Sequence, residues 1–110
     1  MNIQYNHFAT TEDALAEIKA AGYWPVTIDF PPEKSEVHWH DFDSLTFILE
    51  GELSVTNVDT GEHCVCGPGT RITAKAGIRH REEHRGYKAL IGLSVDPAAL
   101  TQPINKPCLA

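Results

Sequence analysis

The chain has 110 residues, 42% of them hydrophobic, and carries nine lysines and arginines against fifteen acids, for a formal net charge of −6. That length provides for one domain with its own core and leaves no room for a second. The acidic balance excludes nucleic acid as the default partner.

No membrane span or signal peptide is expected, because the first twenty residues include Asn2, Gln4, Asn6, His7, Glu12, Asp13 and Glu17. The odd number of cysteines, Cys64, Cys66 and Cys108, suits a reducing cytoplasm rather than a disulfide framework.

The first predicted element is a short helix from about Thr11 to Ala20, with Thr10 as N-cap, acids in its first turn and Gly22 as its stop. Ala14, Leu15, Ile18 and Ala21 form its apolar stripe, and so short a helix must dock on something to persist. From Trp24 the pattern changes to short strands broken by turn residues. Strands are expected at Trp24 to Phe30, Glu36 to His40, Ser44 to Glu50 and Glu52 to Val58, separated by Pro31-Pro32-Glu33-Lys34, by Gly51 and closed by Asp59-Thr60-Gly61. Further strands follow at His63 to Cys66, Arg71 to Ala74, Ile78 to Glu83 and Tyr87 to Ser94. Pro97, Pro103 and Pro107 predict an irregular arm over residues 96–110. The rhythm predicts an all-β fold, an antiparallel barrel or jelly roll with one short N-terminal helix, its barrel core over residues 24–95 of a single domain, 1–110.

Alternate residues of a strand share a face. Ser44, Thr46 and Ile48 should therefore line the interior, while Leu45, Phe47 and Leu49 point outward. That outer row needs cover, from the helix or from a second subunit, and a homodimer is expected. Cys64 and Cys66 share a face and are expected to fill core as small hydrophobes. Trp39 is expected to be a packing residue.

The same alternation lets His38 and His40 present two imidazoles to one point, and a third, His80, follows in a glycine-framed stretch. Three imidazoles from two strands make a metal site with positions left open for water or substrate.

With the surrounding glycines, these residues resemble the cupin superfamily. Its first motif, two alternate histidines, a glutamate and a glycine, reads here as His38, His40, Ser44 and Gly51. Its second, a glycine, a proline, a glycine, a histidine and an asparagine, reads Gly69, Lys75, Gly77, His80 and His84. The resemblance implies the double-stranded β-helix of the small single-domain cupins and a metal on His38, His40 and His80.

Two departures bear on the chemistry. Ser44 stands where many cupins supply a glutamate ligand, so three neutral imidazoles leave the ion's double charge unoffset. This favours Fe, Ni, Zn or Cu over Mn and invites an anionic substrate. His84 stands in the asparagine position, where it can serve as a fourth ligand or a base. Glu82 shares its strand face and can either orient His80 or bind the metal itself, although Arg81-Glu82-Glu83-His84-Arg85-Gly86 also reads as a solvated turn. Six of the nine basic residues, Arg71, Lys75, Arg79, Arg81, Arg85 and Lys88, cluster around His80 and are expected mostly to pair with surface acids.

The expected function is a mononuclear metal enzyme of the three-histidine oxygenase kind acting on a small, anionic molecule. In it His84 and Glu82 would assist proton transfer, and Ser44 and Thr46 would line the pocket. Two alternatives stand beside it: a non-catalytic cupin that binds a sugar or carboxylate, and a metal-free sugar isomerase or epimerase.

Overall fold

The computed structural model describes residues 1–108. In chain order it contains β1 (Asn2–Gln4), α1 (Thr11–Ala20), β2 (Trp24–Phe30), β3 (Glu33–Lys34), β4 (His38–Trp39) and β5 (Ser44–Asn57). It continues with β6 (His63–Cys66), β7 (Arg71–Ala74), β8 (His80–Leu93), a 3-10 turn at Pro97–Ala99 and β9 (Lys106–Pro107). The all-β antiparallel architecture with one short helix is the one expected. Every pairing is antiparallel, and the two 14-residue strands β5 and β8 run side by side from Ser44 opposite Leu93 to Asn57 opposite His80. β2, β3 and β4 add to β8, while β6 and β7 add to β5.

Two sequence expectations are corrected by these long strands. Gly51 was expected to separate two strands, and a break after Glu83 to separate Ile78–Glu83 from Tyr87–Ser94, with Arg81–Gly86 also readable as a solvated turn; both places lie inside continuous strands. β5 bends at Gly51, where the register against β8 shifts between Ile48 and Glu50 and again between Gly51 and Leu53. Such bulges change which residues face inward, so Ser44, Thr46 and Ile48 give way to Leu53 and Val55 without the strand ending. Gly51 has φ +81°, and a Cβ there would lie 2.6 Å from the Gly86 carbonyl oxygen. Only glycine fits that corner.

β1 was missed, because three residues give no period to detect; it pairs with β7. Glu33–Lys34, expected as turn, forms a minimal strand on β8, while β4 covers only the middle of the expected Glu36–His40 strand. The arm after Val95 is not wholly irregular, since its residues Lys106 and Pro107 pair with Trp39 and His38. The last two positions of that arm fall outside the described residues.

The helix forms where its caps predict. Thr10 Oγ1 accepts the Asp13 N–H at 3.1 Å, and Gly22 takes the left-handed conformation that ends the helix. It docks through Ala14 and Ile18 onto Phe47 and Leu90, with Leu45 and Leu49 packed at the margin. Contact is close: a Cβ on Gly92 would sit 2.9 Å from Ile18. Phe47 is 0% exposed. The outer face of β5 is therefore covered by the chain's own helix, and the argument for a homodimer from that face falls away. On the other side of the sheet Ile48, Leu53, Val55, Cys66, Ile72, Tyr87 and Ala89 form the barrel core, which places Cys66 in core as expected.

Among the described residues, no helix is long and apolar enough to cross a membrane.

Candidate metal centre

His38 and His80 face each other across the β4–β8 pairing, and His40 follows just beyond β4. Their ring centroids lie 4.4 Å apart for His38 and His80, 5.1 Å for His38 and His40, and 5.0 Å for His40 and His80. One ring nitrogen from each falls within 4.8 Å of the others. His38 and His80 are buried and His40 half-buried. The three histidines that the spacing singled out are thus brought together.

Backbone carbonyls set the ring orientation of all three. His38 Nδ1 donates to the Glu36 carbonyl at 2.8 Å, His80 Nδ1 to the Ile78 carbonyl at 3.0 Å, and His40 Nδ1 to the Ile104 carbonyl at 3.0 Å. A carbonyl oxygen can only accept, so the proton of each neutral ring sits on Nδ1 and the lone pair on Nε2. Three imidazoles locked in one tautomer by backbone acceptors are the arrangement that metal-binding histidines need. The donor set fits a divalent transition metal.

The local sequence explains two of these bonds. Each of Glu36 and Ile78 stands two residues before its histidine, at the entry of a strand. The turn between Lys75 and Ile78 is tied to the first motif by the Gly77 N–H, which donates to the His40 carbonyl at 2.9 Å. Asp43 Oδ1 accepts the Ala76 N–H at 2.8 Å from the other side. The third bond comes from the C-terminal arm. The Trp39 indole N–H donates to the Pro107 carbonyl at 3.2 Å, and Thr101 Oγ1 donates to Asp41 at 2.6 Å, holding the arm across the site. Nothing in the proline-rich sequence of the arm signals this role.

Glu82 is half-buried, and its Oε1 lies 3.5 Å from His80 Nε2. Burial opposes its ionisation, but the His80 contact and the nearby His38 and His40 prevail and hold its pKa below the usual carboxylate range. For His80, burial disfavours the charged ring, while Glu82 and the Ile78 carbonyl together raise its pKa. In His40, burial is the larger effect and lowers the pKa despite the Ile104 carbonyl.

His84 lies on the same strand but is not part of the cluster. Its Nδ1 accepts the Gly86 N–H at 3.1 Å, so the proton of the neutral ring sits on Nε2, the reverse of the other three. It therefore has no free lone pair to offer as a fourth ligand. Its ring packs edge-on against Tyr87 and sits 6.5 Å from Phe30, which stacks on Tyr87 at 4.5 Å.

A cavity of about 500 Å³ opens beside His38, Glu82 and His84. His38, Glu82, His84, Ser44 and Thr46 supply polar lining, Phe30, Phe42, Tyr87, Ile91 and Leu93 an apolar wall, and Leu100, Pro103, Ile104 and Asn105 of the arm its rim. Ser44 and Thr46 thus face the interior as the pleat predicted. Burial, followed by the charges of Glu82 and Glu33, pushes the Tyr87 phenol up, so it stays protonated. Among the described residues no lysine or arginine lines the cavity. Arg79 pairs with Asp59 at the surface as expected, whereas the Arg71–Glu17 pair is partly buried. His7 contacts Glu17 and His63 contacts Thr56, both away from the centre.

A family model described as "Cupin domain" matches residues 26–96. A gentisate 1,2-dioxygenase from Ralstonia sp is 32% identical over 79 residues, which is 72% of this chain and 22% of that protein, so the chain spans under a quarter of that curated relative's length. Among solved structures, a DUF861 family protein from Thermotoga maritima superposes with a TM-score of 0.62 at 22% identity, covering 84% of this chain and 97% of that one. The DMSP lyase DddQ from Ruegeria pomeroyi gives 0.56 at 23% identity, covering 74% and 44%. At these identities the structural likenesses speak for the fold alone.

Proposed function

The chain belongs to the cupin family, and from that premise we propose that it is a metal-dependent enzyme of the oxygenase kind that acts on a small molecule held in the 500 Å³ cavity. The observation that carries this reading is the common tautomer of His38, His40 and His80, each with Nδ1 on a backbone carbonyl and Nε2 left for an ion. A metal-free isomerase needs one imidazole as base and gains nothing from three converging lone pairs. They repel one another unless a cation lies between them.

The metal would supply Lewis acidity, and with iron the capacity for oxygen chemistry. The protein's own residues divide the remaining work. Phe30 and Tyr87, stacked at 4.5 Å, offer a flat apolar surface for the body of the substrate. Ser44 and Thr46 offer hydroxyls, and His84 offers Nε2–H as a proton donor rather than as the ligand or base considered from sequence. An anionic group on the substrate would find its counter-charge in the metal, because no basic side chain among the described residues lines the cavity. The likeness to gentisate 1,2-dioxygenase supports a ring carrying oxygen substituents as a first candidate.

Oxygen uptake by the Fe(II)-loaded protein with gentisate and related hydroxybenzoates tests this. Metal-dependent uptake that falls at least tenfold in His84→Ala is expected. Absence of both uptake and ligand-induced stabilisation across the series would contradict it.

A further inference from the structure

His80 and Glu82 lie two apart on β8 and point to the same side of the sheet. His80 has given its Nδ1–H to the Ile78 carbonyl, so the nitrogen that meets Glu82 Oε1 at 3.5 Å is Nε2, the one left for an ion. This excludes one of the two roles open to Glu82 from sequence. A carboxylate that orients a metal-bound histidine accepts from the ring nitrogen opposite the metal, and here a backbone carbonyl already occupies that nitrogen.

A neutral Nε2 and a carboxylate oxygen both present lone pairs. Their close approach is favourable when a positive charge is shared between them, whether a proton on Nε2 or a metal ion. Two ligands bound at about 2.1 Å to one ion stand about 3.0 Å apart at a right angle and about 3.4 Å apart at the tetrahedral angle. The His80–Glu82 separation of 3.5 Å matches that of two ligands of one ion. Glu82 stands outside the set whose ligand atoms all lie within 4.8 Å of one another, so its carboxylate must turn toward His38 and His40 to complete the centre. Glu82 also lines two cavities, the larger one beside His38 and a small inner one beside His40 and His80.

We infer that Glu82 is a fourth metal ligand, which supplies from β8 the carboxylate that the chain lacks at Ser44. The inference rests on the reading of His38, His40 and His80 as a metal site. It changes the expected metal preference. An oxygen donor with a negative charge halves the net charge of the centre and suits harder ions, so Mn(II) is no longer disfavoured.

The test is titration of the apo forms of the wild type, Glu82→Gln, Glu82→Asp and Ser44→Ala with Mn(II) and Co(II), followed by calorimetry and by Co(II) visible absorption. Glu82→Gln should weaken Mn(II) binding at least tenfold, weaken Co(II) binding less, and shift the Co(II) bands. Glu82→Asp should recover part of the affinity, and Ser44→Ala should match wild type in both readouts. Wild-type uptake with unchanged affinity and spectrum in Glu82→Gln overturns the ligand assignment alone. Failure of the wild type to bind either ion overturns the three-histidine reading beneath it. Thermal melts of the apo proteins separate lost ligation from lost folding, since Gln preserves the shape of Glu.

Discussion

The imidazole of His40 is fixed by the carbonyl of Ile104, 64 residues further along the chain, through an Nδ1–O hydrogen bond of 3.0 Å. The arm that carries Ile104 is therefore part of the candidate metal centre as well as the rim of the cavity. Its anchors are local and polar: Thr101 to Asp41, Lys106 to the Thr101 carbonyl at 2.8 Å, and the Trp39 indole to Pro107.

Truncation after Leu100 should leave the barrel folded and weaken metal binding. Loss of an outer partner of a metal-bound histidine typically costs about 10- to 100-fold in affinity. Calorimetric titration of the truncated apo protein with Co(II) measures this. An affinity equal to that of the full chain would show that the Ile104 carbonyl is dispensable.

Phe47 is fully buried, packed with Ala14, Ile18 and Leu90 and edge-on against Phe8. Its replacement by Ala should cost about 3–5 kcal/mol of stability through lost burial and a residual cavity. Because the cover comes from the chain's own helix, the mass in solution should not change. Urea unfolding followed by light scattering checks both, and a change of oligomeric mass with little loss of stability would point to cover by a second subunit.

Gly51→Ala and Gly61→Ala form a matched pair. Both glycines have positive φ, +81° and +77°, but a Cβ at Gly51 would collide with the Gly86 carbonyl while one at Gly61 meets nothing within 4 Å. Gly61→Ala should cost about 1 kcal/mol for the backbone conformation alone. Gly51→Ala should cost substantially more, because β5 and β8 must separate at their common bend. Equal melting temperatures for the two variants would refute the close approach.

Cys66 is buried, and desolvation, followed by the nearby Cys64, pushes its thiol up to about 11. At pH 8 only about one thiol in a thousand would then be ionised. Labelling of the native protein with iodoacetamide at pH 8 should therefore leave Cys66 unmodified while Cys64, which is half-buried, reacts faster. Mass spectrometry of the digested protein reads the result, and comparable labelling of Cys64 and Cys66 would contradict it.

The helix, the β2 strand and the three histidines were legible because each carries a strong local signal: a capped apolar stripe, a β-branched and aromatic run, and alternation around Trp39. The run from Arg81 to Gly86 was not. Its outward residues Arg81, Glu83 and Arg85 face solvent, and its inward residues Glu82 and His84 supply polar groups to the cavity. Both faces being polar, the period of two disappears and the strand looks like a turn. The even-to-odd change of inward positions along β5 was equally hidden, because a bulge leaves no mark in composition. The tautomers of the histidines depend on carbonyl oxygens, which every residue possesses, so no side-chain pattern could have announced Ile104.

The claim that His38, His40 and His80 hold a metal is tested most directly by elemental analysis of protein purified without chelators, alongside His38→Ala, His40→Ala and His80→Ala. Close to one transition-metal ion per wild-type chain, lost to below about a tenth in each folded variant, is the predicted result. A wild type that carries no metal and takes none up, or variants that retain it, would contradict the account.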